Sequence, residues 1–470
     1  MSQKALLWFG TGTFLILNIF AFLFYKERMV FTDSAFHLFA ILEKNDFAFQ
    51  NHRYVATLTQ SFPLIASRLG LSLTTVAMLY SLSFEIVYFI VFLILIVGFR
   101  NRMLALGFLL FSTLMVRHTF FWCLSEVVQG AAVYFIYLAF WFRSIESGQY
   151  KAGFFSTIMM FALLVLLVFS HPLMPFCVLY GSAFFFLLYR KSDLSIRKSI
   201  LIHGIGYALM YVLRSLLLRT SNDTSASSGL INGLKLFPHY LDIPANAKFA
   251  HYFIYDYTFI SLLAIIIGIY YLVKREYLFF ILFCVSFIGY AFMINISDTN
   301  GPEQFYVEYR YLYLSVFVIL PFVYQLLPEI KNIKLSTLAI GLPVLMSLIF
   351  IFNLHPTYLK RTIWHRNLMN ATCHLKNKKL ILAPDDGMRD SLKMLWGVSF
   401  EMWLISTMET GQSRSVIVEE QAGQYEDATK QTHEFQNPWA QVWYDGLRSD
   451  YMRFTDTTTA YIRYNYREHK

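Results

Sequence analysis

The chain has 470 residues, of which 57% are hydrophobic and 15% charged, with a mean hydropathy of +0.48. These values exclude an ordinary soluble globular protein and point to an integral membrane protein. The formal net charge of +9 would raise nucleic-acid binding in a soluble chain. Here much of it sits in short connectors between apolar runs, where topology and anionic headgroups explain it, and no nucleic acid is expected as a partner.

The apolar runs are 5–25, 73–98, 103–116, 131–142, 152–170, 173–189, 199–218, 252–273, 277–296, 311–327 and 337–354. They predict an all-α polytopic membrane protein with roughly eleven transmembrane helices. The first run follows Lys4 and exceeds a signal-peptide core, so it reads as a retained anchor. Every second connector is basic: Arg100 and Arg102; Arg143 and Lys151; Arg190, Lys191, Arg197 and Lys198; Lys274 and Arg275; Lys331 and Lys334. The positive-inside rule places these connectors and the N-terminus in the cytoplasm. The intervening connectors, which then lie outside, hold Asp33 and His37; Arg117, His118 and Glu126; His171; Asp242 and His251; and Glu303, Glu308 and Arg310.

Two outer connectors are too long for turns. In 26–72, the mixture of apolar and charged residues around Phe36–Leu42 predicts a short interfacial helix, with a second element at 54–69. The connector 219–251 opens with the polar run Thr220–Gly229, expected to be flexible, and continues into the partly membrane-associated stretch Leu234–Pro244. The apolar runs stop near 355. This divides the chain into a transmembrane domain, 1–355, and a small soluble α/β domain, 356–470, which an odd number of spans puts outside. In that tail 379–383, 415–418 and 460–464 read as strands, 384–387 as a turn, 388–407 as helical, and 419–445 as loop or exposed helix. Cys123, Cys177 and Cys284 lie in or beside apolar runs and Cys373 in the tail, which does not make a disulfide framework. No internal repeat of fixed period, no phosphate-binding Gly-rich loop with Lys-Ser/Thr and no Gly-x-Ser-x-Gly stretch is present.

The candidate chemistry begins at Phe31-Thr-Asp33-Ser-Ala-Phe-His37, where an acid and a histidine are four residues apart and share a helical face. A carboxylate at the outer end of a span suits proton abstraction from an acceptor hydroxyl, which makes Asp33 the candidate base. The competing structural reading is an N-cap at Thr32 or Asp33. Arg310 at the mouth of a late span can grip a phosphate through two parallel N–H bonds and stays charged near lipid. Its competing roles are snorkelling to headgroups and pairing with Glu308 or Glu303. Arg214, near the end of the seventh run, needs an anionic partner for the same reason. His37, His52, Arg53, Arg117, His118, Glu126 and His171 fall on the same side and are candidate substrate contacts. No i, i+4 histidine pair marks a zinc site, so no cofactor is assigned, and a divalent metal stays open without support from the residues.

These features resemble the GT-C superfamily of integral membrane glycosyltransferases, which have many spans, a long first outer loop with an essential acid soon after the first span, and often a soluble C-terminal domain outside. Glu308-Tyr-Arg310-Tyr311-Leu312 is similar to the Glu-x-Arg-Tyr stretch that opens a late span in many bacterial members, which adds Glu308 and Tyr311 to the candidate substrate contacts. The resemblance implies a sugar donor linked to polyprenyl phosphate, Arg310 on the donor phosphate, inversion at the sugar, a glycan, lipid or protein acceptor, and a bacterial inner membrane as location; the carrier phosphate would also be the anionic partner that Arg214 needs. Two other readings stay open. One is an outer-face polysaccharide polymerase or ligase, which would place Asp33 far from Arg310 and line the 219–251 loop with Arg and His. The other is a transporter or flippase of lipid-linked substrates, which calls for charges at mid-membrane depth.

Overall fold

The computed structural model describes residues 1–123, 126–146, 154–192, 194–421, 423–430, 432–438 and 441–466; Lys151, expected in a cytoplasmic connector, lies outside them. Polar caps start several of the apolar helices. Ser2 accepts from the Ala5 N–H at the head of α1 (Gln3–Leu23). After the short α2 (Tyr25–Met29), α3 (Thr32–Lys44) and α4 (Thr57–Arg68) fill the first long connector. They realise both elements predicted there. Ser72 caps α5 (Leu73–Leu93), which runs on as a π-turn to Gly98, and Asn101 caps α6 (Arg102–Leu114). Each cap satisfies a backbone donor that would otherwise be unpaired at the helix end.

The bundle continues with α7 (His118–Phe121), α8 (Glu126–Glu146), α9 (Phe154–Val168), α10 (Met174–Leu188) and α11 (Leu194–Leu217). The connector after it holds α12 (Ser221–Leu234) and α13 (Pro244–His251). Next come α14 (Thr258–Val273), α15 (Tyr277–Ser297), α16 (Val307–Tyr311), α17 (Tyr313–Pro321), α18 (Leu327–Glu329) and α19 (Ile333–Ala371). Among the described residues, six helices are long and apolar enough to cross a bilayer, or eight if each of two bent pairs makes one crossing. The bends are 96° before α14 and 53° before α17. Arg102–Leu114, Phe155–Val168 and Met174–Leu188 are apolar but shorter.

The connectors sort to two ends. At one, Arg102 donates to the Met1 carbonyl (3.2 Å), Arg190 pairs with Glu276 (2.7 Å) and Lys274 with Glu329 (3.1 Å). At the other, the Tyr54 N–H donates to the Phe169 carbonyl (3.0 Å), Arg53 meets Glu126 and Ala245 bonds Thr299 (3.0 Å). The run Thr220–Gly229, expected to be flexible, is helical in α12. Its glycines explain this: a Cβ on Gly233 would stand 1.9 Å from the Ile296 carbonyl oxygen, so the α12 backbone lies directly on the end of α15.

The boundary expected near 355 is no break in the chain's path, because α19 runs 39 residues without interruption. Beyond it a parallel three-stranded sheet has β1 (Lys379–Leu382) in the centre, flanked by β2 (Ser415–Val418) and β5 (Ile462–Tyr464). The crossover from β1 to β2 contains α20 (Asp386–Leu392) and α21 (Val398–Thr410), two helices where one was predicted. A hairpin of β3 (Glu434–Gln436) and β4 (Gln441–Trp443) falls in the stretch expected to be loop or exposed helix. This segment does not stand apart. Phe36 and Phe39 of α3 pack edge-on against Phe400 (5.1 and 5.3 Å), and Phe39 also against Trp403 (5.0 Å), so one apolar core runs from the helical bundle into the sheet.

Candidate functional site

Asp33 sits in the first turn of α3, but it is not the cap; Phe31 occupies that position without a side-chain bond. The Asp33 carboxylate instead accepts from the indole of Trp122, Nε1 to Oδ2 at 2.8 Å. Thr32, its neighbour, donates its N–H to Oε1 of Glu401 at 2.6 Å, so a carboxylate from α21 fixes the start of α3. Burial pushes the Asp33 carboxyl up to about 7. Glu126 and Glu401 push the same way, while the Trp122 bond and Arg53 oppose them. The group is thus poised between acid and base near neutral pH, where a general base is most effective.

One guanidinium acts on it directly. Arg53 reaches Oε2 of Glu126 (3.2 Å) and lies beside Tyr309, and its Nε is buried without a partner among the described residues. Burial works against the Arg53 charge, but Glu126 and Tyr309 outweigh it and hold the guanidinium above its usual range. His171 accepts the Leu173 N–H at Nδ1 (3.1 Å), so its Nε2 carries the hydrogen and donates to the Tyr309 hydroxyl at 2.6 Å. Burial, reinforced by Arg53, Arg310 and Arg214, keeps that imidazole well below the usual histidine range, hence neutral. The three arginines therefore act on one side chain, and Arg53 acts on Asp33 as well. Arg310 is partly exposed, 4.0 Å from Asp298, with its Nε buried and unpartnered among the described residues. Arg214 is buried at the end of α11.

Several other candidates do different work. Glu308 is fully buried and saturated: it accepts the N–H groups of Arg117 (2.7 Å), His118 (3.0 Å) and Thr119 (2.6 Å) and the hydroxyls of Thr119 (2.6 Å) and Tyr257 (2.8 Å). Its expected role as a substrate contact is replaced by a joint between the connectors. Arg117 and His118 belong to that joint rather than to the Asp33 recess. Arg117 lies 3.8 Å from the Phe350 ring centre and 3.8 Å from Asp256, and His118 meets the Tyr358 hydroxyl at 3.0 Å. Tyr311 is buried and donates to Asn295, against Phe249 and Phe253. His37 lies behind the recess with Nδ1 on the Ala48 carbonyl (3.1 Å), and burial lowers its basicity. His52 is an exposed turn residue with φ 59°, set on Tyr54. Glu126 and His171 stay with the recess, and sequence reasoning missed Trp122, Tyr306 and Tyr309, whose rings enclose it. A tryptophan in a polar connector was the available signal, since a buried indole N–H needs an acceptor.

Among the described residues no group of three or more His, Cys, Asp or Glu is arranged to hold a metal ion. What the recess offers is one ionisable carboxyl near neutrality with the Arg53 guanidinium, itself paired with Glu126, within electrostatic reach. A carboxyl so placed can take a proton from a hydroxyl. Comparison with protein-family models, with curated proteins and with solved structures finds no match.

Proposed function

We propose that the protein is a GT-C-like membrane glycosyltransferase that moves a sugar from a polyprenyl-phosphate carrier to an acceptor hydroxyl at the outer face of a bacterial inner membrane. Reading the two bent pairs and the three shorter apolar helices as crossings makes eleven spans, with the N-terminus inside and the C-terminal segment outside. Asp33 takes the proton as the acceptor oxygen attacks the anomeric carbon. The bond from that carbon to the phosphate oxygen breaks, and the electron pair leaves on the phosphate. Arg310, Arg214 and Arg53 meet the charge that develops there, which lowers the barrier by binding the transition state more tightly than the ground state.

The observation that carries this reading is the Asp33 carboxyl, held near neutrality and within electrostatic reach of Arg53, which also acts on His171 together with Arg214 and Arg310. The polymerase or ligase reading lacks comparable support. In the 219–251 connector Arg219 bonds Ser227 (2.7 Å), and His239 pairs with Asp242 (3.4 Å) at an exposed site. The test uses the full chain in nanodiscs with a polyprenyl-phosphate-linked hexose and a panel of hydroxyl acceptors. Asp33→Asn should bind the carrier as the parent does and lose about 10²–10⁴-fold in transfer, the range for a missing general base. Undiminished transfer by this variant would end the proposal.

A further inference from the structure

Trp122 and Asp33 are 89 positions apart in the chain, yet the indole N–H and Oδ2 stand 2.8 Å apart. The indole is held firmly. Its ring meets Tyr306 edge-on at 4.6 Å, Tyr309 at 5.5 Å and Phe305 at 6.3 Å, and its backbone N–H bonds the His118 carbonyl at 2.8 Å. With 6% of its surface exposed, Trp122 has no water-facing alternative for its donor. Among the described residues this is the single hydrogen bond to the Asp33 side chain. The other groups facing the carboxyl act through charge alone: Glu126 and Glu401 on one side of the balance and Arg53 on the other, with Tyr306 close by.

An indole nitrogen donates and cannot accept. It therefore occupies a lone pair of Oδ2 in both protonation states and never competes for the proton. We infer that Trp122 is the positioning residue of this site: it ties up Oδ2, so that Oδ1 alone takes the proton of the acceptor hydroxyl. This rests on the transferase reading for its function but not for its measurement. In the step itself the acceptor O–H bond breaks, the proton goes to Oδ1, and the freed electron pair forms the new bond to the anomeric carbon. The carrier phosphate leaves with the electrons of the old bond. A fixed Oδ2 also prevents the carboxylate from rotating to present either oxygen, which pre-organises the base.

Because the bond favours the ionised form, removing it must make Asp33 harder to deprotonate. The test follows the carboxyl stretch of the full chain in nanodiscs by infrared pH titration, with the Asp33 band identified by its loss in Asp33→Asn. Trp122→Phe should titrate about one pH unit higher, the equivalent of one hydrogen bond to a charged group. In case the smaller ring disturbs packing, β-(3-benzothienyl)alanine at position 122 keeps the bicyclic shape and lacks the N–H. It should shift the titration by the same amount. Transfer from a polyprenyl-phosphate-linked hexose should fall at pH 7 in both variants and recover towards the parent rate about one unit higher. A purely packing role would instead lower the rate equally at every pH.

A benzothienyl variant that titrates with the parent protein overturns the inference. An intact upward shift in a protein that transfers no sugar to any acceptor overturns the transferase reading and leaves the Trp122 to Asp33 pairing in place.

Discussion

In the proposed transfer Asp33 acts as a base only where it has lost its proton, so its setting near 7 fixes a pH window. Transfer should be flat above about pH 8 and decline tenfold per unit below about 6, as read from kcat/KM profiles. The same shift has a cost in stability. A carboxyl whose folded value lies above its unfolded one favours the fold while protonated, and that contribution is complete below the unfolded value of 3.8 and is lost progressively as pH rises from there to about 7. Asp33→Asn should therefore melt with the parent only below about pH 4, gain on it steadily up to about pH 7 and hold that advantage at pH 8. An acid just after an apolar run was visible in the sequence, and so were arginines at span mouths. What the sequence hides is occupancy. Glu308 and Asp33 are both acids beside aromatics in connectors expected outside, and only the fold reveals that Glu308 has five donors while Asp33 has one among the described residues.

The start of α3 is held at the scale of elements, through Glu401. This buried carboxylate accepts from Arg361 (2.6 and 2.9 Å), His365 (2.8 Å) and the Thr32 N–H (2.6 Å). Gly397 lets α21 come this close, since a Cβ there would lie 2.6 Å from the Thr32 Cα. Burial alone would raise the Glu401 carboxyl, but Arg361 and His365 outweigh it and set it below its usual range. Its stabilising share is thus complete above the ordinary carboxylate range and is lost only as pH falls beneath it, opposite in sign to Asp33. Replacing it by alanine leaves a buried guanidinium unpaired, and should cost about 3–5 kcal/mol in chemical denaturation. Farther along, Gly233→Leu should prise α12 off α15 at about 1–3 kcal/mol, visible as faster proteolysis in 219–251. The 220–229 run read as flexible because Ser, Thr, Asn and Gly lack an apolar face, yet small residues are what a close backbone approach requires. Conversely, β1 and β2 were legible, being short apolar strands bounded by turn residues.

At the scale of the whole molecule, the contacts among the described connectors group at two ends. The extent of each crossing was harder to read, because α14 and α17 follow sharp bends that hydropathy does not register. The proposed orientation can be checked with a native reporter. Cys373 is exposed after α19, whereas Cys123 and Cys177 are buried. A membrane-impermeant maleimide added to intact spheroplasts should label Cys373, and labelling only after lysis would reverse the orientation.

In the proposed orientation the continuous α19 links the bilayer to the recess. At 39 residues it is about 58 Å long, nearly twice the ~30 Å hydrocarbon thickness, and its far half carries Arg361 and His365. A thinner bilayer tilts such a rod, and the tilt swings those two side chains, Glu401 and the head of α3 together. Turnover should accordingly depend on lipid acyl-chain length in the parent protein and lose that dependence in Glu401→Gln. The lipid environment would then act as a tuning element for a proton acceptor that lies outside it.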